Sequence, residues 1–433
     1  MKYALPLLSL ALTSTLFAGS WPEWRGPDGM GHAEAQNIPT EFGEEKNVAW
    51  KTEIPGRGWS SPLIEGNQVW MTTAFETAAS PEEAAERLKA DTGGQKLTVL
   101  SEVKLHAICV DKTNGKILHD LQLLAVKNPQ WVHQMNSYAS PTPILKDGKL
   151  YAHFGVYGTA CVDTQTTKIL WVNQEIEIMH ENGPGSSPVL WKDRLIFHCD
   201  GSDTQHITAL DTTTGKEAWK TMRSGKMNEN PQLKKAYGTP IILTRDGQTE
   251  LVSPAADWLY AYDPADGKEL WKVPYDMLGF SNVSRPVAGN GMIFTSTCFM
   301  KSTLLGIDHT PEQPVVSWRY TKGVPAMGSP LLVGDELYFV SDKVGFITCL
   351  DAQTGEERYR ERLSGNFSGS PIFADGKMFF ANREGEVFVV KPGKTFELLA
   401  KNTFDGMFFA TPAFDDSSMF LRTDKALYRI AGK

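Results

Sequence analysis

The chain has 433 residues and a formal net charge of −8 at pH 7. This acidic balance, without any long basic run, argues against binding to nucleic acid or to an anionic membrane surface. The hydrophobic fraction of 41% is ample for a packed core. Length alone does not give the number of domains, because closed all-β folds place many residues in one unit.

Residues 1–20 have the pattern of a secretory signal peptide. Lys2 precedes an apolar stretch from Ala4 to Ala18, and Ala18 and Ser20 are the small residues expected before cleavage at Trp21. A membrane anchor or a buried first strand is the alternative, but the run is short for a bilayer span. No cysteine follows at the spacing for lipid attachment. We therefore predict a periplasmic or secreted protein with no membrane span.

Residues 21–46 are expected to form a clasp segment before the first repeat. Trp21, Trp24 and Arg25 lie close together in its first seven residues, so a stacked Trp–Arg arrangement could dock the segment on the protein body. A partner-binding arm is the alternative.

A short helix is predicted inside the first repeat, between a second strand near Met71 and a third near Ala107. Ser80 is a typical N-cap, Pro81 suits the first helical turn, and acidic residues follow. We expect a helical excursion over one face, as either a lid or a plain surface elaboration.

A repeated phrase indicates the fold. It comprises a small residue and proline, two apolar strands, a third strand ending in Asp, and a Thr-Gly-Lys turn before Trp; the clearest copy runs from Ser187 to Trp219. The prolines that open the units are Pro62, Pro141, Pro188, Pro240, Pro286, Pro330, Pro371 and Pro412. A spacing of roughly forty to fifty residues is typical of a four-stranded propeller blade. The recurrent Trp would pack between neighbouring blades.

The last unit ends after its third strand, while residues 47–51 near the start match a fourth strand. An N-terminal strand would therefore complete the last blade and remove an open sheet edge. We predict an all-β, eight-bladed β-propeller of four-stranded antiparallel blades over residues 47–433, with a short helical insertion in blade one.

Five cysteines, Cys109, Cys161, Cys199, Cys298 and Cys349, lie mostly in apolar strand-like runs. We interpret them as small core residues, with a disulfide as the alternative. None has the CxxC spacing of a zinc or redox site.

The phrase Ala209-Leu210-Asp211 with Thr214-Gly215 and Trp219 resembles the tryptophan-docking repeat of quinoprotein (PQQ-like) β-propellers. That family includes alcohol dehydrogenases that use pyrroloquinoline quinone (PQQ) and the scaffold BamB, which has no cofactor. The start of the clasp segment is similar to the mature N-terminus of secreted PQQ-repeat proteins of planctomycetes. The likeness spans residues 45–433 and predicts fold more strongly than activity.

The resemblance implies two functions. The family's dehydrogenases usually carry a vicinal Cys–Cys disulfide, a calcium or lanthanide ion and an Asp base, whereas this sequence has no adjacent cysteines. We therefore favour a non-catalytic binding or scaffold module, monomeric and without a cofactor, that takes a protein, glycan or small-molecule ligand at its channel face. The alternative is a periplasmic quinoprotein oxidoreductase of the alcohol or sugar dehydrogenase type that uses PQQ and Ca²⁺.

Two groups of polar residues are expected on the face that carries the blade-to-blade loops. Glu181, Asn182, Asp200 and Asp203 are candidate metal ligands, and Asp200 or His180 could act as a general base. A hydrolase or lyase at His180 and Asp200 is a third functional alternative. The structural interpretation is that Asp200 and Asn182 cap turns.

The second group is cationic and comes from successive blades. Its members, with one indole beside them, are Arg285, Lys301, Lys343, Arg383 and Trp258. They could bind an anionic ligand such as PQQ or an acidic sugar, with Trp258 or Trp59 stacking on a flat ring. Solvated loop charges and blade packing are the alternatives.

Overall fold

The computed structural model describes residues 19–91, 94–275 and 279–432. All but the last two residues of the predicted signal peptide, 1–20, lie outside this part of the chain. Eight blades, each of four antiparallel strands, follow one another along the chain, and a short parallel strand, His32–Ala33, adds a fifth strand to the sheet of the seventh blade. The first strands of neighbouring sheets contact each other, including those of the first and last sheets, so the sheets form a closed ring of blades.

The strand bounds are given from the innermost to the outermost strand of each blade. Blade 1 comprises Leu63–Glu65, Gln68–Ala78, Leu100–Asp111 and Ile117–Lys127, and blade 2 comprises Ile144–Lys146, Lys149–His153, Thr159–Asp163 and Ile169–Asn173. Blade 3 comprises Val189–Trp191, Arg194–Asp200, Gln205–Asp211 and Glu217–Met222, and blade 4 comprises Ile241–Arg245, Gln248–Pro254, Trp258–Tyr262 and Glu269–Pro274. Blade 5 comprises Val287–Gly289, Met292–Ser296, Leu304–Asp308 and Val315–Tyr320, and blade 6 comprises Leu331–Val333, Glu336–Val340, Phe346–Asp351 and Glu357–Arg362. Blade 7 comprises Ile372–Ala374, Lys377–Ala381, Glu386–Val390 and Leu398–Thr403, and blade 8 comprises Ala413–Phe414, Ser418–Arg422, Ala426–Ala431 and Val48–Glu53.

The middle strands of each blade are buried on both faces. In blade 3, the second and third strands are buried almost throughout and largely apolar in their central residues, whereas Glu217–Met222 at the rim is largely exposed. Continuous apolar strands are what a sheet covered on both sides requires. The hydrophobic core is therefore a series of layers between blades, and each blade buries its neighbour's face.

The N-terminal strand closes the ring as predicted. Val48–Glu53 pairs antiparallel with Ala426–Ala431, and Thr52 lies opposite Leu427. The eighth blade thus combines the two ends of the described chain, and its outer strand covers the edge that the last three strands would leave open.

Four of the recurrent tryptophans join their blade to the next one. The Trp171 indole donates to Thr212 O at 2.9 Å and lies against Gly215, where a Cβ would come within 2.4 Å of the ring. The same docking recurs for three further tryptophans, Trp50, Trp219 and Trp318. Trp271 instead donates to Glu250 Oε2, since the next blade has no glycine in that turn.

A circumferential set of hydrogen bonds joins the starts of the inner strands. In each link, a backbone N–H donates to the hydroxyl at the equivalent position of another blade, over 2.9 to 3.2 Å. The hydroxyl residues are Ser61, Thr142, Ser187, Thr239, Ser329, Ser370 and Thr411. In blade 2 the residue is Thr142, before Pro143. Our choice of Pro141 as the start of that repeat was therefore wrong, because Ser140-Pro141-Thr142-Pro143 contains the signature twice.

The predicted clasp enters the central channel. Trp21 exchanges two backbone hydrogen bonds with Ile64 of blade 1, Leu145 of blade 2 donates to Pro22 O, and His32–Ala33 pairs in parallel with the inner strand of blade 7. Since the inner strands surround the channel, residues 21–33 occupy it and hydrogen-bond to their inward edges.

The helical insertion of blade 1 is confirmed. Ser80 caps the helix Pro81–Arg87 by accepting from Glu83 N, and a 3₁₀ turn, Leu88–Ala90, follows. Two further 3₁₀ turns span Gly155–Tyr157 and Pro231–Leu233, and Leu97–Thr98 pairs with Val132–His133. All five cysteines are buried and free. Among the described residues, no helix is long and apolar enough to span a bilayer.

Candidate functional site

The loops that join successive blades, and those between the second and third strands of each blade, share one face, which we call the loop face. A cavity of about 610 Å³ opens there between blades 7, 8, 1 and 2. Its lining residues are Gly56, Arg57, Trp59, Gln134, Met135, Asn366, Arg383, Glu384, Met407, Phe409 and Asp424. The volume is that of a typical small-molecule site.

A stacked aromatic pair forms one wall of this cavity. The Trp59 and Phe409 rings are 4.3 Å apart and nearly parallel, at 16°. The Trp59 indole donates to Met135 O, and the Arg57 guanidinium lies over the indole ring at 5.4 Å. Arg57 also donates to Gln134 O and pairs with Glu76 at 3.6 Å. These contacts hold the wall in place and partly neutralise Arg57.

Arg383, a sequence-predicted ligand residue, lies in the cavity. Its Nη1 is 3.4 Å from the Met135 sulfur, and its buried Nε finds no hydrogen-bond acceptor among the described residues. A buried donor without an acceptor costs free energy. Arg383 is therefore the charged group of this cavity that has a buried donor without a partner among the described residues.

The two acidic side chains of the cavity are already bound to neighbouring loops. Glu384 accepts from the backbone and side-chain amides of Asn366, at 2.8 and 2.6 Å. Asp424 accepts from the backbone N–H of Met407 at 2.7 Å. Both carboxylates thus shape the loops around the opening.

The other sequence-predicted cationic residues lie elsewhere. Arg285 is 2% exposed, and its guanidinium donates to Trp24 O and Glu23 in the channel. Lys301 and Lys343 are exposed on blades 5 and 6, away from the cavity. Trp258 is half-buried, packs where a Cβ on Gly225 would lie, and donates to Lys226 O. The structure therefore brings only Arg383 of this predicted set into the cavity.

Each of the four predicted metal ligands binds a different protein group. Glu181 accepts from Gln232 and Lys235, Asn182 donates to Tyr237, Asp200 is bound by Arg223, and Asp203 accepts from Met179 N. Within the described ranges, no group of three or more His, Cys, Asp and Glu side chains could hold a metal ion.

The predicted base candidates lie around a second, much smaller cavity in blades 2 and 3. Its volume of about 20 Å³ has room for roughly one water molecule. His153, His180, His198 and Asp200 line it, and burial lowers the pKa of both His153 and His180 to about 3. Neither ring nitrogen of His180 has a hydrogen-bond partner in the described part of the chain.

The side chains of Ser253, His198 and Asp200 are arranged one after another like the nucleophile, the base and the orienting acid of a catalytic triad. Ser253 Oγ lies 2.7 Å from His198 Nε2, but His198 Nδ1 is 3.6 Å from Asp200 Oδ2, too far for a hydrogen bond. Ser253 is fully buried, so no substrate reaches it. Burial also raises the pKa of the Asp200 carboxyl, although Arg223 opposes this shift. The arrangement is a buried polar network between blades 3 and 4.

Among the lining residues that were not predicted from the sequence are Arg57, Met135, Met407 and Phe409. They lie in blade-to-blade loops, into which the repeated sequence pattern does not extend. The one available signal was position, since Arg57 and Trp59 precede Pro62 as Met407 and Phe409 precede Pro412.

Comparison with known proteins supports the fold. The family model described as outer membrane protein assembly factor BamB matches residues 94–221, 203–338 and 255–406. No curated protein sequence matches this chain significantly.

Solved structures with the same fold include enzymes and a protein of the assembly-factor type. A europium-containing methanol dehydrogenase has a TM-score of 0.66 at 13% identity, covering 93% of this chain and 89% of its own. BamB from Moraxella catarrhalis has a TM-score of 0.55 at 13% identity, covering 78% and 100%. The quinohemoprotein alcohol dehydrogenase from Comamonas testosteroni has a TM-score of 0.62 at 11% identity, covering 96% and 81%. At these identities the likeness concerns the fold alone.

Proposed function

Because the chain belongs to the family described as outer membrane protein assembly factor BamB, we propose that it is a non-catalytic binding propeller that takes a protein, glycan or small-molecule ligand in its loop-face cavity. The observation that carries this proposal is the cavity itself, with its rigid Trp59–Phe409 wall and the unsatisfied Arg383. A preformed, partly apolar pocket with a few oriented polar groups is the usual form of a binding site. The signal-peptide pattern of residues 1–20 supports export to the periplasm or beyond.

The alternative is a quinoprotein oxidoreductase, favoured by the fold that the chain shares with the two dehydrogenases. Arg57 and Arg383 could pair with the carboxylates of PQQ. Trp59, however, already stacks on Phe409 and lies beneath Arg57. The acidic side chains of the cavity are bound to loop amides, and the described chain supplies no metal-ligand group. These residues do not fit a quinone held on a divalent ion.

Thermal denaturation of the purified mature protein separates the two functions. A ligand that binds only the native state raises the melting temperature. PQQ with and without Ca²⁺ is one titration series; peptides, oligosaccharides and small organic acids form the other, with the Trp59→Ala variant in parallel. We expect a saturable shift in the second series that Trp59→Ala abolishes. A saturable, Ca²⁺-dependent shift with PQQ, accompanied by oxidation of an alcohol with an artificial acceptor, would overturn the proposal in favour of the oxidoreductase.

A further inference from the structure

We propose that the loop-face cavity recognises a carboxylate joined to an apolar or aromatic body, with Arg383 binding the carboxylate. This inference rests on the proposed binding function and names the chemical class of the ligand. Three features support it, namely the charge of Arg383, the apolar lining of the cavity and the volume of the cavity.

Charge points to Arg383 as the anchor. Its guanidinium forms no salt bridge with a described carboxylate, and its buried Nε donates to no acceptor within the described residues. The Asp342 carboxyl lies near enough to interact with the charge of Arg383, but its oxygens already accept hydrogen bonds from the backbone N–H groups of Ala326 and Met327. Arg57, the other cation of the cavity, is paired with Glu76. A carboxylate is the group whose geometry a free guanidinium matches, through two parallel hydrogen bonds.

The lining favours an apolar body over a sugar. The Trp59–Phe409 pair is flanked by Met135 and Met407, which are 38% and 41% exposed. Methionine side chains are flexible and adapt to apolar groups of different shapes. An acidic sugar carries hydroxyl groups around its ring, and thioether and phenyl surfaces offer those hydroxyls no hydrogen-bond partners. Of the two side-chain amides in the lining, that of Asn366 is already bound to Glu384, which leaves Gln134 as the amide that could serve.

The cavity volume of about 610 Å³ suits a ligand of drug size. Two sources supply such a carboxylate, namely a free aromatic or aliphatic acid and the C-terminus of a peptide that ends in an apolar residue. The chemistry at Arg383 is the same for both, and their bodies differ in length.

Isothermal titration calorimetry on the full mature protein tests the inference with matched probes. The first pair is N-acetyl-Gly-Phe-Phe with a free C-terminus and the same peptide as its C-terminal amide; 3-phenylpropionate and its amide form the second pair. Arg383→Gln removes the charge, and Arg383→Lys keeps the charge but loses the fork geometry. Lys226→Gln is the control, because Lys226 is an exposed cation in another loop of the same face and lies outside the cavity.

We expect an acid to bind at least about tenfold more tightly than its amide, as for a charge-assisted hydrogen-bonded pair. Arg383→Gln should abolish this difference, Arg383→Lys should retain part of it, and Lys226→Gln should leave affinity within about twofold of the wild type, since distant exposed charges are screened. Tight binding of the peptide acid alone identifies a peptide terminus, and equal binding of phenylpropionate identifies a free acid.

Equal binding of acid and amide, lost in Trp59→Ala, would overturn the role of Arg383 while the proposed binding function stands. No binding of either acid at millimolar concentration would also overturn the inference. The binding function is then judged separately by the wider ligand series. Melting temperatures of the variants establish that each is folded.

Discussion

Arg223 binds Asp200 through two hydrogen bonds, from Nε to Oδ1 at 3.0 Å and from Nη2 to Oδ2 at 2.7 Å, and both side chains are fully buried. Arg223 also donates to the Tyr262 hydroxyl of blade 4 at 3.2 Å. The pair therefore joins the second strand of blade 3 to the following blade. It ties the Asp200 carboxylate into the packing between blades, beside the base, metal-ligand and turn-cap interpretations that the sequence left open.

Replacing Arg223 with Leu should strongly destabilise the protein. The change leaves the Asp200 carboxylate buried without its partner, a situation that typically costs about 3–5 kcal/mol. Urea denaturation measures the change in the free energy of unfolding. The double variant Asp200→Leu with Arg223→Leu should be less destabilised than Arg223→Leu alone, because no unpaired charge remains. Lys89→Ala, at an exposed ion pair with Glu86, is the control and should stay within about 0.5 kcal/mol of the wild type. A double variant no more stable than the single one would contradict this account of the pair.

The buried histidines should make the protein unstable in acid. Burial lowers the pKa of His153 and His180 to about 3 and that of His206 to about 4, from the usual 6.5. Between these values the unfolded chain binds protons that the folded chain does not, so stability falls as the pH drops below about 6.5 and continues to fall towards 4. Each such histidine contributes up to about 1.4 kcal/mol per pH unit.

Urea midpoints at pH 7, 6, 5 and 4 measure this dependence. His180→Leu removes one of the buried histidines with a lowered pKa, one whose ring nitrogens have no partner in the described structure, and should reduce the slope by about one proton. Lys89→Ala should leave the slope unchanged. If the His180→Leu protein keeps the wild-type slope, protonation of His180 is not a source of the acid sensitivity.

The propeller was predictable because its signals are local. The Asp-x-x-Thr-Gly turn and the following Trp lie within about ten residues of each other, and four of the tryptophans form the same docking contact, as Trp171 with Gly215 shows. The closing strand was found for the same reason, since its Trp50 repeats the docking contact with the turn of blade 1.

The position of the N-terminal segment in the channel had no local signal. Its contacts join residues hundreds of positions apart, such as Arg25 with Pro330 O at 2.7 Å and Arg285 with Trp24 O at 2.6 Å. The cavity had no local signal either, because its lining residues come from loops of four blades that are far apart in the sequence. Charge counting alone placed Arg285 beside Arg383, because it could not show that Arg285 lies buried against Glu23.

Deleting residues 1–55 should expose the edge of blade 8 and cause aggregation. The deletion removes Val48–Glu53, the partner of Ala426–Ala431, and an unpaired strand edge is a template for association. Size-exclusion chromatography and light scattering measure the outcome. A synthetic peptide of residues 44–55, added during refolding, should restore part of the monomer. A soluble truncated protein that melts at the wild-type temperature would contradict the closure by this strand.

Gly29 tests whether Arg285 fixes the segment in the channel. Gly29 has a φ of +69°, and a Cβ there would lie 2.3 Å from Arg285 Cζ. Gly66 is the matched control, since its φ is +58° and no atom lies within 4 Å of its hypothetical Cβ. Both Gly→Ala changes place a side chain in the left-handed region, at a cost of about 1–2 kcal/mol.

Only Gly29→Ala adds a steric conflict, because the Arg285 guanidinium is held by Trp24 O, Pro240 O and Glu23 and cannot move without losing them. The free energy of unfolding of Gly29→Ala should therefore be lower than that of Gly66→Ala by about 1–3 kcal/mol. Urea denaturation measures this difference. Combining Gly29→Ala with Arg285→Ser removes the conflict and places a hydroxyl at the blade 5 position of the hydrogen-bonded set. Relative to Arg285→Ser alone, the added Gly29→Ala change should then cost about as little as Gly66→Ala costs the wild type. An equal loss in the two single variants would show that the Arg285 side chain yields, and that the segment does not depend on its position.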